Sequence, residues 1–202
     1  MKNINFFRLA IVTATLYLCF SVITYAKTAQ QNIADSVLRL HIVANSNSEK
    51  DQSLKLIVRD SILEKAGLLF DSSSSLSDSE KIARENLNYI EEIAKETLKK
   101  QGCFAPVRAE IKDEAFPVKF YGDIILPSGK YRAVKITIGE GAGENWWCVM
   151  YPPMCNIENL TMESGKDKLK DALKSDEYRM ISSSSFPCQI RFKIVDLVNS
   201  LL

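Results

Sequence analysis

The residues that could do covalent chemistry fall in two short segments of the chain. His41 is the sole histidine and lies in the apolar run Ser36–Ala44, whereas Cys148 lies about a hundred residues further on. A cysteine nucleophile with a histidine base would make the chain an exported cell-envelope hydrolase. The sequence places no acid or nucleophile beside His41, however, so a structural or surface histidine is the simpler interpretation.

Cys148 and Cys155 have a second possible chemistry, which is to bond to each other. Pro152 and Pro153 lie between them and force the chain to turn, which favours a disulfide between the two cysteines. Closing so short a loop would contribute about 2.5 kcal/mol at best. The alternative is that both are buried free thiols. Their spacing, with one distant histidine, completes no zinc site, so we predict no metal and no cofactor.

Three glycines, Gly139, Gly141 and Gly143, fall within five residues. A phosphate-binding loop would need a following helix and a Lys-Ser/Thr pair, whereas here Glu140 and Glu144 would repel phosphate. The segment is therefore predicted to be a flexible connection between two strands. Close approach of a partner is one explanation for so many glycines.

Both tryptophans of the chain, Trp146 and Trp147, follow this loop directly. Successive side chains of a strand point to opposite faces, so the two indoles are predicted to lie on opposite sides of a sheet. One would fill the core, and the other would be a typical anchor for a protein interface. The alternative is that helices cover both faces of the sheet.

The first 26 residues resemble an export signal. Lys2 and Arg8 precede the uncharged stretch Leu9–Tyr25, and Thr24 and Ala26 are small residues suited to a cleavage site. The stretch is also near the lower length limit for a spanning helix, so residues 1–26 are either a signal peptide or an N-terminal membrane anchor. Residues 27–35 are polar and are predicted to be a linker. Outside the cytoplasm thiols tend to pair, and Cys103–Cys188 is a further pairing by elimination.

Net charge limits the choice of partner. The whole chain has a formal net charge of +1, and it becomes −1 once residues 1–26 are removed, since they contain two basic and no acidic residues. Such a balance gives no support for nucleic-acid binding through bulk charge. The sequence also offers no convincing small-molecule site.

The hydrophobic periodicity predicts the element order β-α-α-β-β-β-β-α. Apolar residues recur at helical spacing in two stretches, about 48–69 and 78–100, and then alternate with period two from Val107 to Tyr151. A final helix is predicted from about Pro187 to Leu201. Residues 157–185 are polar and are predicted to be a mobile excursion with a short helix near 165–174. Residues 36–202 would thus form one α+β domain, with helices packed on one face of a largely antiparallel sheet.

Two segments of the chain, about a hundred residues apart, contain distinctive runs. These are Leu38–Ser48, Asp51–Gln52, Leu54–Leu56 and Val58–Asp60 in the first, and Gly139–Gly141, Asn145–Val149 and Pro152–Cys155 in the second. Read together, they resemble the stage II sporulation protein R family of endospore-forming Firmicutes. Their order and the preceding export signal also match, and the resemblance covers roughly residues 36–155. The family commonly has Leu where Met154 stands, which is a small departure.

This resemblance implies a function that periodicity alone does not. Such proteins are made in the forespore and exported into the space between the two cells. There they activate a membrane-bound aspartic protease of the mother cell, which then processes pro-sigma-E. The chain would then be a signal rather than an enzyme. We expect the contact surface to include Trp146, Trp147, Tyr151, Gly139, Gly141 and Gly143, beside a polar patch of Arg39, His41, Asn45 and Asn47.

Overall fold

The computed structural model of the chain describes residues 2–70, 73–155 and 159–182. Along these residues it has six α-helices, six strands and one 3-10 turn. In chain order they are α1 (Lys2–Ala34), β1 (Leu38–Val43), α2 (Glu49–Ala66), the 3-10 turn Gly67–Phe70, α3 (Leu76–Glu85), α4 (Leu87–Lys100), β2 (Val107–Phe116), β3 (Lys119–Tyr121), β4 (Ile124–Leu126), β5 (Gly129–Ile138), β6 (Asn145–Tyr151), α5 (Asn159–Ala172) and α6 (Ser175–Ile181).

Four strands form the main sheet, in the spatial order β2-β5-β1-β6, and β3 pairs with β4 in a separate hairpin. The pairs β2–β5 and β1–β6 are antiparallel, whereas β1 and β5 run parallel. A parallel pair needs a long crossover, and here α2, α3, α4 and the intervening strands supply it. The α+β class is therefore confirmed, although the sheet is mixed.

The first face of the sheet packs against α2, α3 and α4. Leu38, Leu40 and Ile42 of β1 point to this face, because alternate residues of a strand share a side. Leu54, Val58 and Ile62 of α2 recur every fourth residue and are buried against them. Burying each such side chain stabilises the fold by about 1.5–3 kcal/mol.

The start of the helix predicted over about 48–69 is confirmed. Ser48 is the N-cap of α2, and its hydroxyl accepts a hydrogen bond from the Asp51 backbone N–H at 3.2 Å. Glu49 and Asp51 lie in the first turn, where the positive end of the helix dipole favours carboxylates.

Among the described residues, the end of α1, the β3–β4 hairpin, α5 and α6 cover part of the second face of the sheet. Their apolar residues form a second core cluster with Phe116 of β2, Tyr131 of β5 and Val149 of β6. The sequence predicted helices on one face of the sheet, whereas the structure has helices on both faces. The other part of this face carries charged side chains and belongs to the site described below.

Residues 27–35, predicted to be a linker, are helical as far as Ala34. Their polar composition hid a helical stripe, since Ala26, Ala29 and Ile33 recur at spacings of three and four and are buried. The stripe packs on the second face of the sheet. The preceding part of α1 exposes its apolar side chains and is long and apolar enough to cross a membrane, a property that a signal sequence shares.

The described part of residues 157–185 is helical, contrary to the predicted mobile excursion. The helix predicted near 165–174 is α5, which begins earlier, at Asn159, and ends at Ala172. Leu169, Leu173 and Ile181 are buried in the second cluster, so both α5 and α6 are part of the packed domain. The final helix predicted from about Pro187 to Leu201 lies outside the described residues.

Candidate functional site

The two chemistry-bearing segments of the sequence are neighbours in the sheet. In the register of β1 and β6, His41 lies opposite Trp147 and Arg39 lies opposite Val149. The loop Gly139–Asn145 closes over the end of β1. The predicted proximity of the two segments is confirmed, and their meeting point lies at the uncovered part of the second face.

His41 is almost completely buried, with 7% of its surface exposed, and it lies among charged residues. Its Nδ1 contacts the Glu114 carboxylate, and its Nε2 lies 2.7 Å from the Asn145 side-chain oxygen. Lys135 Nζ donates to Glu114 at 2.8 Å, and Lys112 Nζ lies 3.1 Å from the same oxygen. Both ring nitrogens of the histidine are thus engaged with neighbouring oxygens.

The pKa of Glu114 is lowered from 4.5 to about 2. Burial of the carboxyl opposes this change, but hydrogen bonds from Lys135, His41 and Lys112 outweigh the burial and favour the ionised form. The cluster therefore holds a fixed negative charge between Lys135 of the neighbouring strand β5 and Lys112 of its own strand β2. It joins β2, β5 and β1 across the second face of the sheet.

Trp147 stands next to this cluster. Its indole stacks on His41 with ring centroids 5.8 Å apart and an interplanar angle of 19°. Lys119 Nζ lies 4.5 Å from the indole centroid, at a distance suited to a cation–π contact. Trp146 lies on the first face instead, packed against the core there, with the Arg59 guanidinium 4.4 Å from its ring centroid. The prediction that the two indoles lie on opposite sides is confirmed.

Arg39 does not belong to the polar surface patch in which the sequence analysis placed it, because it is fully buried. Its guanidinium lies 4.2 Å from the Phe116 ring centroid and 4.9 Å from that of Tyr131. Arg39 Nη2 donates to the Tyr121 hydroxyl at 2.9 Å, and Nε donates to the Cys148 carbonyl. Burial lowers the pKa of Arg39 and raises the pKa of Tyr131. Charged residues are seldom fully buried, which is why the sequence suggested exposure.

The three clustered glycines are explained by contacts within the chain. Gly139 and Gly141 have positive φ angles of 57° and 61°, which residues with a side chain seldom adopt. A Cβ on Gly139 would strike the Asn45 side chain, and one on Gly143 would strike the Ser46 carbonyl. Close approach is thus required, as predicted, but the segment that approaches is the chain's own β1–α2 turn.

Asn45 is the anchor of this loop. Its side-chain oxygen accepts a hydrogen bond from the Glu140 backbone N–H at 3.0 Å, and its Nδ2 donates to Asp51 at 2.8 Å. Hydrogen bonds from Ser46 and Asn45 lower the pKa of Asp51. Asn47, in contrast, is exposed beside the turn. Tyr151 is buried, with 3% of its surface exposed, so it cannot offer a contact surface in this arrangement.

The disulfide favoured from the sequence is present between Cys148 and Cys155. It ties β6 to the turn that contains Pro152 and Pro153. Among the described residues Cys103 has no disulfide partner, and Cys188 lies outside them. Within the same residues there is no group of three or more His, Cys, Asp or Glu side chains that could hold a metal ion.

A groove of about 350 Å³ runs beside Trp147, between β6 and the β3–β4 hairpin. Lys119–Gly122 form one wall, Asn145–Cys148 form the other, and Met154 closes one end. Sequence analysis missed this hairpin as a part of the site. The turn Tyr121-Gly122-Asp123 is the signal that could have revealed it, since Gly122 has a φ of 61° and such Gly-Asp turns join short strands.

The fold and site together define a class of protein: an α+β domain with a disulfide, led by an apolar helix and carrying an aromatic groove. The profile of the family described as Stage II sporulation protein R (spore_II_R) matches residues 34–161. The chain is also 35% identical over 150 residues to Stage II sporulation protein R of Bacillus subtilis (strain 168), an alignment that covers 74% of this chain and 67% of that protein. No solved structure shows a significant match.

The chain therefore belongs to the Stage II sporulation protein R family. The resemblance found from two short segments is confirmed, and the matched region extends from the end of α1 into the start of α5. It includes all four strands of the main sheet and both walls of the groove.

Proposed function

We propose that this protein is an exported sporulation signal that activates a membrane-bound aspartic protease of the mother cell, which then processes pro-sigma-E. Membership of the family supports a role in sporulation. The observation that carries the proposal is the groove beside Trp147, because it offers aromatic surface for a protein partner on a domain led by a long apolar helix.

Two features of the chain support a place of action outside the cytoplasm. An apolar N-terminal helix directs the chain into or across a membrane, and the Cys148–Cys155 disulfide is typical of an oxidising compartment. The domain would act in the space between the forespore and mother-cell membranes, either released after cleavage or held by α1. Both states present the same groove to a receptor in the opposite membrane.

The mechanism needs no chemistry in this chain. The protein docks on the receptor-protease and binds its active conformation more tightly than its inactive one, which shifts the population of the protease. Converting a 1:99 mixture of conformations into a 99:1 mixture requires an affinity ratio of about 10⁴. An aromatic anchor in a well-packed groove is the kind of contact that contributes heavily to such differences.

The alternative function is an exported cell-envelope hydrolase that uses Cys148 or His41. It would need a Cys148 thiolate, whereas Cys148 is bonded to Cys155. It would also need a free nitrogen on His41, whereas both nitrogens contact Glu114 or Asn145. Full signalling by a His41→Ala variant would exclude the histidine route.

The test is to produce the full chain, the membrane protease and the pro-sigma factor together in a non-sporulating host and to follow cleavage of the pro-sigma factor. Trp147→Ala should abolish cleavage while the amount of exported protein stays unchanged. Tyr89→Ala is the matched control, since Tyr89 is an exposed aromatic residue on α4, away from the groove. Normal cleavage with Trp147→Ala would remove the groove from the proposal, and no cleavage with the unaltered chain would refute the function itself.

A further inference from the structure

In the part of the chain that the structure describes, β6 is an edge strand with no strand on its outer side. Among the described residues it pairs with β1 on one side only. The Ala44 N–H donates to the Glu144 carbonyl, which makes this a hydrogen-bonded pair in the register of β1 and β6. Hydrogen-bonded and non-hydrogen-bonded pairs alternate along an antiparallel ladder. The backbone N–H and C=O groups of Asn145, Trp147 and Val149 must therefore point away from β1.

Two contacts confirm this direction. The Val149 carbonyl accepts a hydrogen bond from the Met154 N–H at 3.3 Å, and the Trp147 carbonyl lies 3.4 Å from the Tyr121 hydroxyl. The chain itself thus closes the outer edge at Val149 and supplies one partner for the Trp147 carbonyl, which leaves the N–H and C=O of Asn145 and the N–H of Trp147 for an added strand. Within the described residues, the stretch from Asn145 to Trp147 has no strand beside it, and it forms one wall of the groove.

The opposite wall supplies side chains. Phe120 of β3 is 61% exposed at the groove and presents an apolar ring to it. Among the described residues that line the groove, Lys119 is the one charged residue, and none is a carboxylate. A protein usually protects an open edge with charge, proline or a covering element, so an edge left open beside exposed aromatic surface is suited to an incoming strand.

We propose that an extended segment of the receptor-protease adds to β6 as a fifth strand, with an acidic side chain that meets Lys119 and an apolar one that meets Phe120. This inference rests on the proposed function and specifies how the partner is recognised. Backbone groups spaced along a strand edge select an extended peptide, because a helix has already used its own N–H and C=O groups. The positive wall selects the acidic side chain.

The open edge is short, and this limits the contact. From Asn145 to Trp147 the strand advances only about 7 Å at 3.3 Å per residue. An added segment of three or four residues would therefore fill it. Strand addition would fix the register of the partner, whereas the groove side chains would decide which sequence is accepted.

The first experiment locates the partner segment. A benzophenone amino acid is placed at position 120 of the full chain, which is produced with the protease and the pro-sigma factor, and the cross-linked peptides are identified by mass spectrometry. The expected product joins position 120 to a segment of the protease, outside its membrane spans, that contains Asp or Glu. A cross-link to a second copy of the chain, or to the chain's own residues 183–202, would overturn the proposal.

The second experiment separates the strand edge from the side chains. Asn145→Pro removes one outward N–H and inserts a ring at the open edge, a place where folded strands tolerate proline. Asn145→Ala is the matched control, because it also loses the Asn145 side chain but keeps the N–H. We expect processing to fall roughly 2- to 12-fold with Asn145→Pro relative to Asn145→Ala, which is the effect of one lost hydrogen bond.

A third comparison tests the charge. Lys119→Glu should weaken processing several-fold, and more strongly at low ionic strength, whereas Lys99→Glu at the exposed end of α4 should not change it.

Equal processing by Asn145→Pro and Asn145→Ala would overturn strand addition while leaving the proposed function intact. If the unaltered chain fails to trigger cleavage at all, the proposed function fails, and strand addition to this receptor fails with it.

Discussion

Asn45 and Gly139 form a pair whose energetic coupling can be calculated from the structure. Replacing Gly139 with alanine places a side chain at a positive φ angle, which costs about 1–2 kcal/mol by itself. The new Cβ also strikes the Asn45 side chain and must displace it. Displacement breaks the hydrogen bonds from Asn45 to Asp51 and from Glu140 to Asn45, at about 0.5–1.5 kcal/mol each.

Gly139→Ala should therefore lower the free energy of unfolding by about 2–5 kcal/mol, and Asn45→Ala should lower it by about 1–3 kcal/mol. In the double variant the obstacle is gone, so Gly139→Ala should add only the backbone cost of about 1–2 kcal/mol. The sum of the two single effects should exceed the double effect by about 1–3 kcal/mol. This difference is the worth of the two hydrogen bonds.

The assay is urea unfolding of the full chain in a mild detergent, followed by tryptophan fluorescence, since both indoles lie in β6. Gly102→Ala is the control for the backbone cost alone. Gly102 has a φ of 69°, but a Cβ there would meet nothing within 4 Å. The reasoning is refuted if Gly139→Ala costs no more than Gly102→Ala, or if the Asn45 and Gly139 effects are additive to within about 0.5 kcal/mol.

Three further perturbations address other parts of the structure. Replacing Cys148 and Cys155 together with alanine should lower the free energy of unfolding by about 2.5 kcal/mol in urea, and Cys103→Ala should not reproduce this loss. The pKa of Glu114 is about 2 in the folded chain and 4.5 in the unfolded one. The ionised Glu114 therefore stabilises the fold fully above about pH 4.5, and this stabilisation is lost as the pH falls toward 2. Glu114→Gln should remove this part of the pH dependence of the free energy of unfolding. Ile33→Ala should cost about 2–5 kcal/mol in thermal or urea unfolding, because Ile33 is fully buried where α1 meets the domain, whereas a linker residue would tolerate the change.

The sequence predicted best where a pattern is local. The α2 stripe, the opposite placement of Trp146 and Trp147 and the disulfide each follow from spacing within one segment. The family resemblance implied that residues of β1 and β6 share one contact surface, and the strand register shows that the two strands are neighbours in the sheet.

What the sequence missed depends on how distant segments pack. Alternation with Leu38, Leu40 and Ile42 places Arg39 on the second face, but nothing local shows that Phe116, Tyr121 and Tyr131 enclose it. The buried stripe of α1 was also missed, because residues 27–35 are mostly polar and nothing local shows that the stripe packs on the second face of the sheet. The groove was missed because its two walls are about 25 residues apart in the chain and come together only in the folded domain.

The continuity of α1 has a mechanical consequence. One helix runs without a break from its exposed apolar part to Ile33 in the domain core, so no hinge separates a membrane-embedded part from the domain. Wherever α1 stays in the bilayer, the domain cannot tumble independently of it and can explore only rotation about the membrane normal and the tilt of the helix. The open edge of β6 would then keep a nearly constant height above the lipid, and the search for a receptor would become a two-dimensional one. Cleavage after Ala26 would keep the packed end of the helix and release the domain into three dimensions, at a lower local concentration.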